Sequence, residues 1–139
     1  MPQSQLLTHF FASVHEFNSC KNWADYENLA KYYDAGAELS EVDPPNKKRT
    51  GRNNIIKYLV ETQPRLLPRF WPSLPITETA DSDTLTAASL EGSATYFDCT
   101  TNPPPKGVRT LPFTIRFRFE FTRPDTASPW VVTIGKRIG

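Results

Sequence analysis

The amino-acid sequence predicts an α+β domain in which helices come first and antiparallel strands follow. Residues 113 to 121 alternate between apolar and polar side chains, which is the period of a strand with one buried face. The first third of the chain instead repeats apolar residues every three or four positions, which is the period of an amphipathic helix. Because the two patterns occupy separate parts of one chain of 139 residues, a single α+β domain over 1–139 is expected.

The N-terminal pattern predicts two helices. Leu6, Phe10, Val14 and Phe17 lie on one face of a helix from about residue 4 to 19. A second helix is expected after position 22, with Gly36 as its C-terminal cap. Its predicted apolar face consists of Tyr26, Leu29, Ala30 and Tyr33.

A short strand over 37–42, a polar basic loop over 44–51 and a third helix over 52–61 follow in the sequence. Proline-rich residues 63–75 predict a loop, and the rest predicts strands over 75–79, 84–97, 109–122 and 130–134. Gly92 is expected to form a bulge in the long strand. Short connections favour pairing of the later strands as a meander.

Composition excludes several classes of function. The net charge of +1 gives no electrostatic basis for binding nucleic acid or an anionic membrane. No apolar run approaches the roughly 18 residues of a membrane span, and the first residues contain no basic region or long apolar stretch, so no secretory signal is expected. Cys20 and Cys99 suit free thiols in a reducing compartment, so a cytoplasmic location is expected.

Several short motifs resemble the NTF2-like superfamily, in its SnoaL-like and ketosteroid-isomerase-like branch. They are Asn22-Trp-Ala-Asp-Tyr-Glu-Asn-Leu29, Tyr33-Asp-Ala-Gly-Ala-Glu-Leu-Ser-Glu41 and the Gly51-Arg-Asn-Asn-Ile-Ile56 start of a helix, followed by the alternating phenylalanine strand and the strand after Trp130. The resemblance implies a cystatin-like cone, in which a curved antiparallel sheet wraps around the N-terminal helices and encloses a pocket. It also implies isomerases, dehydratases and cyclases of small lipophilic molecules, non-catalytic binding modules, and homodimers formed through the sheet.

Glu41 is the first candidate catalytic residue, because it shares strand parity with Ala37 and Leu39. The resemblance places it where ketosteroid isomerases have their carboxylate base, and an apolar pocket raises the pKa of a carboxylate. The alternative is that the strand ends at Ser40 and Glu41 is solvated. Asp43 has the same parity and could form a carboxylate pair with Glu41, although Asp43-Pro-Pro also suits a turn.

His15 is the candidate proton shuttle by side-chain type, at the border of the first helix's apolar face. Tyr26, Tyr33 and Tyr58 could each donate a hydrogen bond to a substrate oxyanion. The orientation of Glu91 stays open, since its strand has a mixed face. Histidine and cysteine spacing gives no metal site, and no cofactor is predicted.

The predicted pocket is apolar and aromatic, which suits a small hydrophobic ligand that contains a ring. Its predicted lining consists of Phe11, Phe17, Trp23, Tyr26, Tyr58, Trp71, Phe113, Phe117, Phe119 and Trp130. The leading hypothesis is a cofactor-free isomerase, cyclase or dehydratase acting on a polyketide- or terpenoid-like molecule. The competing hypothesis is a binding or dimeric assembly module without catalysis, which the scarcity of histidine favours.

Overall fold

The computed structural model describes residues 3–20, 23–41, 47–62, 69–97 and 113–138. The helices are α1 (Gln5–Asn18), α2 (Trp23–Glu27) and α3 (Arg52–Thr62). The strands are β1 (Tyr33–Glu41), β2 (Lys47–Thr50), β3 (Arg69–Glu78), β4 (Ala87–Phe97), β5 (Phe113–Thr122) and β6 (Val131–Arg137). They form one curved sheet in the order β2-β1-β6-β5-β4-β3, which confirms the predicted α+β class.

Helix α1 begins where its capping chemistry requires. The Ser4 hydroxyl accepts a hydrogen bond from the Leu7 backbone N–H at 3.0 Å, so one of the free donors of the first turn is satisfied. Leu6 and Phe10 are then buried against the sheet. The predicted helix over 4–19 is therefore confirmed to within one residue at each end.

The second predicted helix is shorter than its apolar spacing suggested. Helix α2 ends at Glu27 and a 3₁₀ turn covers Asn28–Tyr32. Tyr33 and Gly36 lie in β1, not on a helical face or at a cap. Tyr33 pairs with Val132 of β6, so a contact with a distant segment overrides the local helical period.

The sheet is mixed, because β1 runs parallel to β6 while the other neighbouring pairs are antiparallel. The predicted meander holds for β3 to β6. Two segments differ from the prediction. Residues 47–50 were expected in a loop but form β2 against β1, and β3 begins at Arg69, inside the proline-rich segment. Because β3 is at the edge of the sheet, Pro72 and Pro75 interrupt no ladder on its outer side.

Gly92 does not form the predicted bulge. The register of β4 with β5 is continuous through the Gly92–Phe117 pair, and the irregularity lies opposite, in β3 between Ser73 and Thr77. A Cβ at position 92 would lie 3.3 Å from Phe117 Cζ and 3.5 Å from Ile76 Cγ1. The missing side chain at Gly92 therefore lets Phe117 and Ile76 approach the β4 backbone.

Two hydrophobic clusters form the core. The first joins α1 to the sheet and includes Phe10, Phe117 and Trp130. The second joins α2, α3 and β1 through Tyr26, Ile55 and neighbouring residues. Tyr33 packs against both clusters, so the start of β1 connects the two halves of the core.

Candidate functional site

The inner face of the sheet is the face that packs against α1. Ile115, Phe117 and Phe121 of β5 are 8%, 2% and 2% exposed on this face. The Phe117 ring lies 5.6 Å from the Phe10 ring and 5.4 Å from the Phe70 ring, measured between centroids. The prediction that the phenylalanine row of β5 faces the helices is confirmed for these residues.

At one end of the inner face, α1 is joined to the edge strand β3. The Asn18 side-chain amide donates to the Phe70 carbonyl at 2.8 Å, and Asn18 Oδ1 accepts from the Phe70 N–H at 2.9 Å. We refer to this end, where β4 finishes and β5 starts, as the Asn18 end. The Asn18 carboxamide satisfies the Phe70 N–H and carbonyl, as a further strand at the edge of the sheet would do.

At the opposite end, the buried guanidinium of Arg123 acts as a clamp. It lies over the Trp130 ring at 4.0 Å and makes five hydrogen bonds. The acceptors are the carbonyls of Leu85, Ser82, Asp83 and Thr126 and the side chain of Gln5. All of them are neutral, so Arg123 and Trp130 anchor this Arg123 end structurally.

The three predicted catalytic residues differ in how much of each the structure describes. Strand β1 continues through Glu41, whose backbone pairs with Lys47, although the Glu41 side chain lies outside the described part. Asp43 lies outside the described residues. His15 is on the exposed side of α1, a position that does not support its predicted role inside a pocket.

The predicted pocket residues fall into three groups. Phe11, Phe117, Phe119 and Trp130 belong to or pack against the first cluster, while Phe17 and Tyr26 do so for the second. Trp71 is 53% exposed and pairs with Thr95 on the outer face, because its parity is opposite to that of Phe70. It therefore does not line the inner face. The side chains of Trp23, Tyr58 and Phe113 lie outside the described part.

The described tyrosines with shifted pKa values are held protonated. Burial raises the pKa of Tyr33 to about 12, and burial with a hydrogen bond to Glu16 raises that of Tyr32 to about 12. Tyr33 pairs with Val132, and the position after the Ser40–Lys136 pair sets the Glu41 backbone opposite Arg137. The two ends of β1 are therefore five positions apart along β6, or about 17 Å at the usual rise per residue. Tyr33 is therefore too distant to act with Glu41 on one small substrate.

His9 is a half-buried polar residue for which the sequence gave no role. Its imidazole meets the Tyr32 ring edge-on at 5.3 Å, and its Nε2 atom is buried without a hydrogen-bond partner. Desolvation lowers the pKa of His9, and the Trp130 backbone opposes this only in part. Its place next to Phe10, on the border of the helix's apolar face, was the available signal for burial.

Glu91 faces the outer side of the sheet. Its two carboxylate oxygens accept from Arg116 and Arg118, each at 3.2 Å. Because Arg118 is the direct cross-strand neighbour of Glu91, the polar face predicted for β5 extends onto β4. This answers the open question of its orientation.

Arg137 is an inner-face residue that the sequence analysis missed. It pairs with Phe117 across β5 and β6 and is half-buried. Its cation therefore stands on a face that is mainly apolar in β4 and β5. The sequence analysis ended the last strand at Ile134, three residues before the end of β6, so Arg137 was not assigned to either face of the sheet.

Other chemistry finds little support among the described residues. No cluster of three or more His, Cys, Asp or Glu suitable for a metal ion occurs there. Cys20 is a buried free thiol whose pKa burial raises to about 11, and Cys99 lies outside the described part. Within the same ranges, none of the helices has the length and apolar character to cross a bilayer.

The architecture matches solved structures, although no family model and no curated protein matches the sequence. Aln2 from a Streptomyces species superposes with a TM-score of 0.68 at 16% identity, over 99% of this chain and 92% of that one. An NTF2-like protein with a cystatin-like fold from Novosphingobium aromaticivorans gives a TM-score of 0.66 at 16% identity, over 96% and 78% of the two chains. The chain has the NTF2-like fold.

A third similar structure is a candidate polyketide cyclase from Xanthomonas campestris, with a TM-score of 0.58 at 14% identity over 96% of this chain and 88% of that one. The predicted NTF2-like architecture is thus confirmed. Identities in this range establish the fold alone, and an NTF2-like fold does not determine a reaction.

Proposed function

We propose that this NTF2-like chain is a cofactor-free proton-transfer enzyme that binds a small hydrophobic molecule with a ring beneath the inner face. The observation that carries the proposal is the extent of β1. The strand does not end at Ser40 but continues through Glu41, at the parity of Ala37, which is fully buried, and of Leu39, which contacts the second cluster. A carboxylate at that register position suits a general base.

The proposed reaction class is removal of a proton from the carbon next to a carbonyl. The Glu41 carboxylate takes the proton, the C–H electron pair becomes the enolate double bond, and the carbonyl π pair moves to oxygen. Return of the proton to the same or another carbon regenerates the carboxylate. Phe119, which packs against the buried rings of Phe10 and Phe117 and is itself partly exposed, favours an apolar ring as the substrate body. One similar solved structure, from Xanthomonas campestris, is described as a candidate polyketide cyclase, which is compatible with chemistry of this kind.

Hydrogen–deuterium exchange of 2-tetralone in D₂O, followed by proton NMR, tests the proposal without knowledge of the natural substrate. The wild-type protein is expected to accelerate exchange over buffer, and Glu41→Gln should remove that acceleration. Glu38→Gln is the matched control, because Glu38 lies on the outer face of the same strand and forms an ion pair with Lys48 at 3.1 Å. Equal exchange rates for the wild type and Glu41→Gln would reject the role of Glu41.

A non-catalytic binding module is the second candidate function. It is favoured by an inner face that, in the described part of β5, offers only apolar side chains from Ile115 to Phe121. The same experiment separates the two candidates. Binding of 2-tetralone, seen as shifted protein resonances, without faster exchange would support the module.

We also propose a homodimer formed through the outer face. Arg116, Glu91 and Arg118 form a charged network there, and Trp71 is exposed at its β3 edge. Mixed charges of this kind can pair about a two-fold axis. Sedimentation velocity is expected to show a dimer that Trp71→Ser and Arg118→Glu together weaken; a monomer at all concentrations would contradict it.

A further inference from the structure

We infer that the Tyr33 hydroxyl donates a hydrogen bond to an uncharged oxygen, that of a ketone or an ether, on the ring-containing ligand. The inference rests on the proposed function only in requiring a ligand beneath the inner face. It adds the group by which that ligand is recognised, at a residue that the proposed proton transfer does not use. Its support comes from the position, the hydrogen bonding, the accessibility and the electrostatic surroundings of Tyr33.

Tyr33 stands on the inner face of the sheet. Its backbone pairs with Val132 of β6, and Val132 pairs in turn with Phe121 of β5, so the three residues form one row across the sheet. Val132 and Phe121 are 7% and 2% exposed and belong to the first cluster. Tyr33 packs against both hydrophobic clusters, so its phenol lies among apolar side chains on the face that the ligand is proposed to contact.

The Tyr33 hydroxyl makes no hydrogen bond with any residue in the described part of the chain. The hydroxyl of the adjacent Tyr32, in contrast, donates to the Glu16 carboxylate. Burial raises the pKa of Tyr33 to about 12, so its phenol is largely removed from water and stays protonated. A desolvated hydroxyl is costly unless it has a partner, and an oxygen acceptor on a ligand supplies one.

A ligand has access to the Tyr33 side chain. His9 Nε2 and Trp130 Nε1 also lack hydrogen-bond partners, but both atoms are closed to solvent. Tyr33 keeps part of its surface accessible, as Phe119 and Leu39 do on the same side of the sheet. A phenol that is desolvated and still partly accessible borders a recess in the protein. Tyr33 is therefore the unpartnered donor that a ligand beneath the inner face can reach.

The electrostatic surroundings of Tyr33 favour an uncharged acceptor. The raised pKa of Tyr33 has two causes, burial and the negative charge that Cys20 would carry, and no described cation opposes them. A carboxylate bound there would lose water without gaining a counter-charge, which is costly. A ketone or ether oxygen accepts the same hydrogen bond without that cost.

NMR titration with 2-acetylnaphthalene and 2-isopropenylnaphthalene tests the inference, because the second probe has a methylene group of similar size in place of the ketone oxygen. The wild-type protein is expected to bind the ketone about three- to tenfold more tightly, which corresponds to one neutral hydrogen bond. Tyr33→Phe should bind both probes equally. Tyr32→Phe is the matched control at the neighbouring position and should keep the preference, since the Tyr32 hydroxyl is bound to Glu16.

Infrared spectroscopy gives a readout that a purely structural role of Tyr33 would not change. The carbonyl stretching band of bound 2-acetylnaphthalene should move to lower frequency in the wild type, because a hydrogen bond weakens the C=O bond. This shift should be lost in Tyr33→Phe. The melting temperature of ligand-free Tyr33→Phe is expected to match that of the wild type, because the hydroxyl has no partner in the described fold.

The outcomes separate this inference from the proposed function. No preference for the ketone in the wild type, or a preference that survives in Tyr33→Phe, overturns the role of Tyr33 even where 2-tetralone exchange is accelerated. Equal loss of the preference in Tyr32→Phe also overturns it. Failure of both probes to bind overturns the ligand site and the inference together. A preference that depends on Tyr33 without any acceleration of 2-tetralone exchange supports the inference and rejects catalysis.

Discussion

Asn18 and Phe70 are joined by two hydrogen bonds, one in each direction, between a side-chain carboxamide and a backbone peptide. The contact joins the last residue of α1 to the second residue of β3, 52 positions along the chain. It also positions the Phe70 ring, which meets Phe117 edge-on. The Asn18 end of the inner face thus depends on a polar contact at its rim.

Asn18→Ala is expected to destabilise the protein by about 1–3 kcal/mol, because the Phe70 N–H and carbonyl lose their partners in a half-buried place. Urea unfolding followed by circular dichroism measures the change. Ser19→Ala is the control at the neighbouring position, since it removes an exposed hydroxyl bond to the His15 carbonyl. A loss of similar size in both variants would contradict a specific role for Asn18.

The helical and strand periods of the sequence were sufficient for α1 and for the inner face of β5. They could not reveal that Tyr33 starts a strand, because Tyr33 joins the sheet through parallel pairing with Val132 of β6, a residue 99 positions away. They also missed β2, whose Lys48 and Arg49 read as a solvated loop until β1 provides a partner. Arg137 escaped notice for the same reason: the last residues of β6 contain no apolar alternation, and pairing with β5 alone reveals which side of the sheet they face.

Gly135→Ala is expected to cost about 1–3 kcal/mol, as overpacking of a filled core does. The new methyl group would lie 2.8 Å from the Phe119 ring, and the ring has little room since Phe117 and Phe121 flank it at 5.6 and 6.3 Å. Thermal unfolding measures the loss. Adding Phe119→Leu to Gly135→Ala should recover part of it.

Gly36→Ala provides the matched control for that experiment. Its added Cβ would meet only Asp34 Oδ2, at 3.6 Å, on an exposed part of β1. The change in stability is expected to stay within about 0.5 kcal/mol. Equal effects of the two substitutions would show that loss of backbone freedom, and not contact with Phe119, sets the cost.

Arg123→Met is expected to destabilise the protein by at least about 3 kcal/mol. The substitution keeps an apolar stem but leaves several carbonyls around the former guanidinium without a donor, at about 1–3 kcal/mol each when buried. Arg116→Met, which removes a 61% exposed partner of Glu91, should cost no more than about 1 kcal/mol. Chemical unfolding of the two variants side by side measures the difference, and similar losses would contradict the clamp.

The lowered pKa of His9 predicts that the protein loses stability in acid. Its pKa is lowered in the folded state, so the unfolded chain takes up a proton first as the pH falls below about 6.5. The contribution of neutral His9 is fully present above that pH and is lost as the pH falls toward the folded-state pKa. Unfolding free energies measured from pH 7.5 to 5 should therefore decline more steeply for the wild type than for His9→Phe, which keeps a ring against Tyr32 but cannot bind a proton. Identical slopes for the two proteins would show that the imidazole takes up its proton equally well in both states.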